Sequence, residues 1–361
     1  MTELELHLLN DFQRGFPLVS TPFATMAQAL DVSERRVIES LQQLKECGTV
    51  SRVGAVFRPH AIGASTLAAV AVPETELERV AGIINARPEV NHNYEREHRY
   101  NLWFVATAPD ESRLREVLRE IEREVGYPLL ILPLLEDYHI DLGFDLLGGH
   151  ASPRLPVAGA QSGRSCTGRG RGAAAGPSVP HPLEGAVIAA IQQGLPLVSR
   201  PFAAIGEQIG AGEAEVITCL EQLLAQGVIR RLGVVVRHHE LGYRANAMVV
   251  WDVPDDQVSA LGRCLGQFEF VTLCYRRPRR LPEWRYNLFC MIHGRDRDTV
   301  LGLVEQLRER CGLQHIPYEV LFSRRRFKQC GARYMETGAP DEGRKRTDRS
   351  RWMPELKGRA A

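Results

Sequence analysis

The sequence predicts an α+β fold built twice on one chain. Each copy reads as a winged helix-turn-helix followed by a ferredoxin-like domain of order β-α-β-β-α-β, and three observations predict this. The first is an internal repeat, since residues 15–63 match residues 194–242 at a constant offset of 179 with 21 identities in 49 positions, among them Pro17/Pro196, Arg58/Arg237 and His60/His239. The second is apolar periodicity that switches from helical to alternating within each copy. The third is the return of the match downstream, as Tyr94 against Tyr275. After a small insertion it continues as Arg99-Tyr100-Asn101-Leu102 against Arg285-Tyr286-Asn287-Leu288.

In the first copy, Leu8, Leu9 and Phe12 mark a first helix. Pro22 opens a second, because the first helical position needs no N–H. Ser33 is the expected N-cap of a third, in which Val37, Leu41 and Leu44 recur at helical spacing until Gly48 stops it. Residues 49–57 alternate as a wing hairpin would. A strand is expected over 66–72, then a helix opened by Pro73 and Glu74 with Leu77, Val80 and Ile84 on one face. Strands follow near 90–94 and 100–107, then a helix over about 110–125 striped by Leu114, Val117, Leu118 and Ile121, and a last strand around 129–134. The second copy repeats this plan between about residues 244 and 322.

These elements divide the chain into winged modules at 1–60 and 182–239 and ferredoxin-like domains at 61–147 and 240–331. Residues 148–181, rich in Gly, Ala, Ser, Pro and Arg, have the composition of a flexible linker, and the charged stretch 332–361 that of a disordered tail. With 45 basic and 44 acidic residues, the net charge of +1 gives no whole-molecule field for a polyanion, so any anion site must be local. The first thirty residues show neither a signal peptide nor a membrane span, which makes the cytoplasm the expected location. Eight cysteines without a CxxC pair argue against a zinc or iron–sulfur site and are expected as reduced thiols.

A helix-turn-helix beside a ferredoxin-like domain suggests DNA binding with a small-molecule sensor, but the charges oppose it. A recognition helix must bring Arg, Lys, Asn or Gln to base edges. The third helix of copy two instead opens Ala211-Gly212-Glu213-Ala214-Glu215 and runs through Glu221 with no basic residue before Arg230. In copy one Arg35, Arg36 and Lys45 are offset by Glu34, Glu39 and Glu46. DNA is therefore an unlikely partner.

Chemistry-bearing side chains gather between the second and third strands of each ferredoxin-like half. Copy one carries His92-Asn93-Tyr94, then Arg96, His98, Arg99, Tyr100 and Asn101. Strand alternation sets Val90, His92 and Tyr94 on one face of the sheet. Copy two places Arg276, Arg277, Arg279, Arg280 and Arg285 within ten residues, with only Glu283 among them and Tyr275, Trp284 and Tyr286 interleaved. Guanidinium forks bind carboxylates bidentately and flat rings stack on planar ligands, so a planar polycarboxylate fits this composition. Single-stranded nucleic acid has the same needs, and a solvated basic hairpin is the plain structural alternative.

The pattern of Pro-Leu-Val-Ser with a following Pro-Phe, of Gly54, Val56, Arg58 and His60, and of His92 and Tyr94 before Arg99-Tyr100-Asn101-Leu102-Trp103 resembles the sirohaem decarboxylases. That Lrp/AsnC-like family normally has two related subunits, which here look fused. The resemblance implies removal of the carboxyl groups of the C12 and C18 acetates of sirohaem to give 12,18-didecarboxysirohaem, in haem d1 or alternative haem biosynthesis. It implies no cofactor beyond the iron of the substrate and no protein metal site. His92 and His98 are the candidate general acids, with Tyr94 and Tyr100 as orienting or relay groups. Arg96, Arg99, Asn101, Tyr275, Arg276, Arg277, Arg279, Arg285, Tyr286 and Asn287 are the candidate substrate-binding residues. His60 and His239 are candidates for an axial or secondary role. Because copy two carries Leu273 and Trp284 at the His92 and His98 positions, the halves cannot be equivalent. A homodimer and handover to other tetrapyrrole enzymes are further expectations, and the alternative function is a transcription regulator that senses a tetrapyrrole.

Overall fold

The computed structural model describes residues 1–58, 61–140, 182–237 and 245–334. The expected linker, His60 and His239 lie outside the described residues.

One tier is built by the two winged modules. In copy one it contains α1 (Glu3–Asp11), α2 (Pro22–Ala29), α3 (Glu34–Glu46) and β1 (Val50–Phe57). The Ser33 hydroxyl accepts from the Arg36 amide and caps α3, while Gly48 ends that helix in the left-handed conformation. Copy two supplies α6 (Pro182–Ile191), α7 (Pro201–Ile209), α8 (Glu213–Ala225) and β7 (Ile229–Val236).

The expected wing hairpin does not form. Residues 50–57 contain no turn sequence, and β1 runs straight through to pair antiparallel with β7 of the other copy, Gly54 opposite Gly233. Both positions need glycine, because a Cβ on Gly233 would sit 2.3 Å from the Gln13 carbonyl oxygen and one on Gly54 2.9 Å from the Gly194 Cα. The ladder fuses the modules around a single core that includes Leu8, Phe12 and Leu41 from one copy and Ile188, Phe202 and Leu220 from the other. At the openings of α3 and α8, Ser199 donates to Glu34 at 2.8 Å and Ser20 to Glu213 at 2.9 Å, so each helix start is engaged by the opposite copy.

The second tier holds β2 (Ala64–Val70), α4 (Leu77–Ala86), β3 (Val90–Arg96), β4 (Leu102–Ala108), α5 (Glu111–Val125), β5 (Leu129–Pro133) and β6 (Glu136–Ile140) in copy one. Copy two has β8 (Ala245–Trp251), α9 (Val258–Leu265), β9 (Val271–Arg276), β10 (Leu288–Gly294), α10 (Arg297–Arg310) and β11 (Tyr318–Gln329). Each copy orders its strands as a ferredoxin-like sheet does, β5-β2-β4-β3 and β11-β8-β10-β9.

The copies also exchange strands. The first part of β11 pairs with its own β8 and the rest with β3 of copy one, while β6 of copy one pairs with β9 of copy two. Since β5 and β6 stand at opposite ends of the nine-stranded order yet follow one another in the chain, the two sheets close on each other. Helices cover the outer faces through separate clusters, and the inner faces meet in a third cluster that contains Tyr100, Trp103, Tyr275, Trp284, Tyr286 and Phe289.

Two further expectations change. Cys264 and Cys311, expected as thiols, form a disulfide between α9 and the end of α10, where a Cα separation of 6.0 Å suits the bond and a sequence separation of 47 gave no cue. The tail set at residue 332 begins too early. Tyr334 is buried, its ring meets Phe57 at 5.7 Å, and its amide donates to the Gln192 side chain at 2.8 Å.

Candidate active site between the copies

The pairing of β3 is irregular between Val90 and His92. Val90 therefore joins the helix-side cluster, contrary to simple alternation, while His92, Tyr94 and Arg96 share the opposite face. The His92 and Tyr94 rings lie nearly parallel with centroids 6.4 Å apart, and Nδ1 of His92 is 3.0 Å from Oδ1 of Asn91. Burial, reinforced by the positive charge of Arg52 on β1, pushes His92 down to about 4. Burial raises the Tyr94 phenol despite the guanidinium groups of Arg96, Arg326 and Arg237 around it. An imidazole and a phenol thus face a ring of cations at the seam of the two tiers.

Arg52 and Arg237 were not among the expected site residues. Their signal was present, because both belong to the repeat: Arg52 is the counterpart of Arg231, as Arg58 is of Arg237. The Nε–H groups of Arg52, Arg96, Arg237 and Arg277 are buried with no hydrogen-bond partner among the described residues, which leaves donors for an anion. On the pseudo-equivalent side of the β1–β7 ladder, Arg14, Arg58, Arg230 and Arg231 line a cavity of about 470 Å³ with Ile140 and Leu224. Among the described residues no histidine lines that cavity.

Arg96 and Arg277 are equivalents that reach across the pseudo-twofold axis. Arg96 donates to the Leu321 carbonyl of β11 at 3.0 Å and Arg277 to the Leu132 carbonyl of β5, equivalent strands each belonging to the opposite copy. Burial lowers both, Arg96 to about 10. The Arg277 guanidinium also lies 4.5 Å from the Tyr275 ring centroid.

The second expected acid, His98, lies in the loop after β3. The Tyr100 amide donates to its Nδ1 at 2.9 Å, which leaves Nε2–H facing Glu319 of β11 at 2.9 Å. Burial lowers His98 and Glu319 partly restores it. The Tyr286 hydroxyl donates to the other Glu319 oxygen at 2.6 Å, and Tyr100 and Trp284 pack on the imidazole at 6.1 and 5.5 Å. His92 and His98 therefore stand at separate points of one hairpin, at most about 20 Å apart at strand rise.

The remaining expected residues have other partners. Arg279 and Arg285 pair with Asp252 at 2.7 and 2.6 Å, and Arg276 pairs with Asp255 at 3.3 Å. The loop after β8 thus supplies the acids that the arginine run lacks in its own sequence. Asn101 and Asn287 spend their amides on the backbone of Val72 and Val253, a latch repeated in both copies. Arg99 is exposed over Tyr100. Among the described residues no cluster of His, Cys, Asp and Glu could hold a metal ion.

This tandem of winged module and ferredoxin-like domain defines an Lrp/AsnC-like architecture. The AsnC-like ligand binding domain family matches residues 61–139 and 240–328, and the siroheme decarboxylase NirDL-like HTH domain family matches residues 5–50 and 184–230. The siroheme decarboxylase NirDL subunit of Paracoccus pantotrophus is 43% identical over 341 residues, covering 94% of this chain and 99% of that protein. The crystal structure of the siroheme decarboxylase NirDL superposes with a TM-score of 0.64 at 29% identity over 92% of this chain and 95% of that one. A second crystal structure of that enzyme, in complex with an iron-uroporphyrin III analogue, gives 0.62 over 92% and 93%. The chain belongs to the siroheme decarboxylase family, in the fused form that carries both halves.

Proposed function

We propose that this chain is a carboxy-lyase that removes the C12 and C18 acetate carboxyl groups of sirohaem to give 12,18-didecarboxysirohaem. The observation that carries this reading is the His92–Tyr94 pair set against Arg52, Arg237, Arg96 and Arg326 at the junction of the copies. The bound iron-uroporphyrin III analogue in a relative of the same architecture supports it.

An acetate on a pyrrole keeps its carboxylate because the electrons left behind need a sink. Protonation of the ring carbon next to the one that bears the acetate provides one. The bond to the carboxylate then breaks, its electron pair enters the protonated ring, and carbon dioxide leaves. The resulting methylene gains a proton as the ring carbon returns its own, so each carbon dioxide costs one proton and leaves a methyl group. In this scheme His92 and His98 are the acids and Tyr94 and Tyr100 orient them. Arg52, Arg96 and Arg237 hold carboxylates, and a carboxylate in the half-buried seam sheds its desolvation penalty by departing. The iron arrives with the substrate.

The regulator reading loses ground at α3 and α8, where Glu34 and Glu213 are held by Ser199 and Ser20 of the other copy and where α8 opens on acidic side chains that DNA would repel. A cytoplasmic enzyme, dimeric or not, that hands its product to haem d1 or alternative haem synthesis completes the proposal. No helix among the described residues is long and apolar enough to cross a membrane. Incubating the purified protein with sirohaem under anaerobic conditions should lower the tetrapyrrole mass by two carbon dioxide units. A folded protein that binds sirohaem and returns it unaltered contradicts the reading and marks a carrier.

A further inference from the structure

The repeat offers an internal control for the His98 site. Strand register makes Leu130 of β5 the counterpart of Glu319 of β11, because Leu130 faces Ala69 as Glu319 faces Val250, while β2 and β8 pair alike with β4 and β10. Trp284 is likewise the counterpart of His98. The molecule thus holds a His–Glu pair at one side of its pseudo-twofold axis, and at the equivalent positions of the other side a fully apolar combination, Trp284 and Leu130, both buried.

We propose that Glu319 is a positioning residue for the decarboxylation, a carboxylate supplied by copy two that fixes the tautomer and orientation of the catalytic His98 of copy one. This rests on the decarboxylase reading above. The Tyr100 amide occupies Nδ1, so the remaining ring proton sits on Nε2 and points at Glu319. Tyr286 holds the second carboxylate oxygen and thereby stops Glu319 from rotating away. The imidazole is clamped from both nitrogens, with the Tyr100 ring nearly parallel to it and Trp284 packed edge-on against both rings. An acid held this way delivers its proton along one direction, toward whatever displaces or bridges Glu319 at Nε2. The charged and titratable groups facing His98 are Glu319, Arg99, Tyr100 and Tyr286. Of these only Glu319 is an acid in direct contact, so its charge raises the proton affinity that burial lowers.

The test uses the full chain with Glu319→Gln, which keeps an acceptor but removes the charge, and Glu319→Leu, which copies the apolar arrangement already tolerated in the other half. Imidazole nitrogen NMR should show His98 titrating at lower pH in Glu319→Gln. With sirohaem, kcat should fall about tenfold or more with KM nearly unchanged, and Glu319→Leu should fall further. An unshifted His98 titration, or unchanged kcat in both folded variants, overturns the proposal. If the titration shifts while the wild-type chain fails to decarboxylate sirohaem, the His98–Glu319 coupling stands and the substrate assignment is what fails.

Discussion

His92 resists protonation because its surroundings are dry and, in second place, because Arg52 makes them positive. A polycarboxylate that settled against Arg52 would offset the smaller, positive part of that effect and raise the ring's proton affinity toward the acid role proposed for it. The same depression makes a stability prediction. An unfolded histidine takes its proton near pH 6.5, whereas folded His92 resists protonation until about 4, so its contribution is intact above 6.5 and is lost as the pH falls through that window. Partial exposure reduces the effect to about 2 kcal/mol. His92→Gln should therefore flatten the pH dependence of urea unfolding between about pH 6.5 and 4, and parallel wild-type and variant curves would refute the burial argument. At this scale the sequence was informative about residue types and poor about partners. His92, Tyr94, Arg96 and His98 were legible from their motif, but Asp252 and Asp255 lie some two dozen residues before the arginines they neutralise, and no local pattern reveals that.

The helices followed their caps and apolar stripes closely: Ser33 caps α3 and Pro22 opens α2 as expected. The strands that join the copies did not show themselves. A run such as residues 50–57 specifies a strand but not its partner, and β6 and the far half of β11 become strands only because β9 and β3 offer them edges. Glycine was the available clue, since Gly54 and Gly233 repeat at the offset of 179 and face one another in the ladder. Gly233→Ala forces a methyl group against the Phe12 and Gln13 carbonyls, at 2.5 and 2.3 Å. It should destabilise the protein by about 2–3 kcal/mol in denaturant titrations. A change below about 0.5 kcal/mol would show that the two backbones do not approach as closely as described.

Across the whole molecule, duplication supplies two pseudo-equivalent seams, and substitution has made them different. One presents His92 and Tyr94 to Arg52 and Arg237, and the other presents Arg58 and Arg231 with Leu273 where the imidazole would be. The halves of a symmetric regulator would do the same thing twice, whereas two unequal seams can hold one flat guest in a single orientation. A crystal structure of the full chain grown with iron-uroporphyrin III tests this most directly. It should place the macrocycle beside His92 and Tyr94, with side-chain carboxylates on Arg52 and Arg237. A macrocycle bound away from that seam, with the His92 ring still enclosed by protein, would contradict the account.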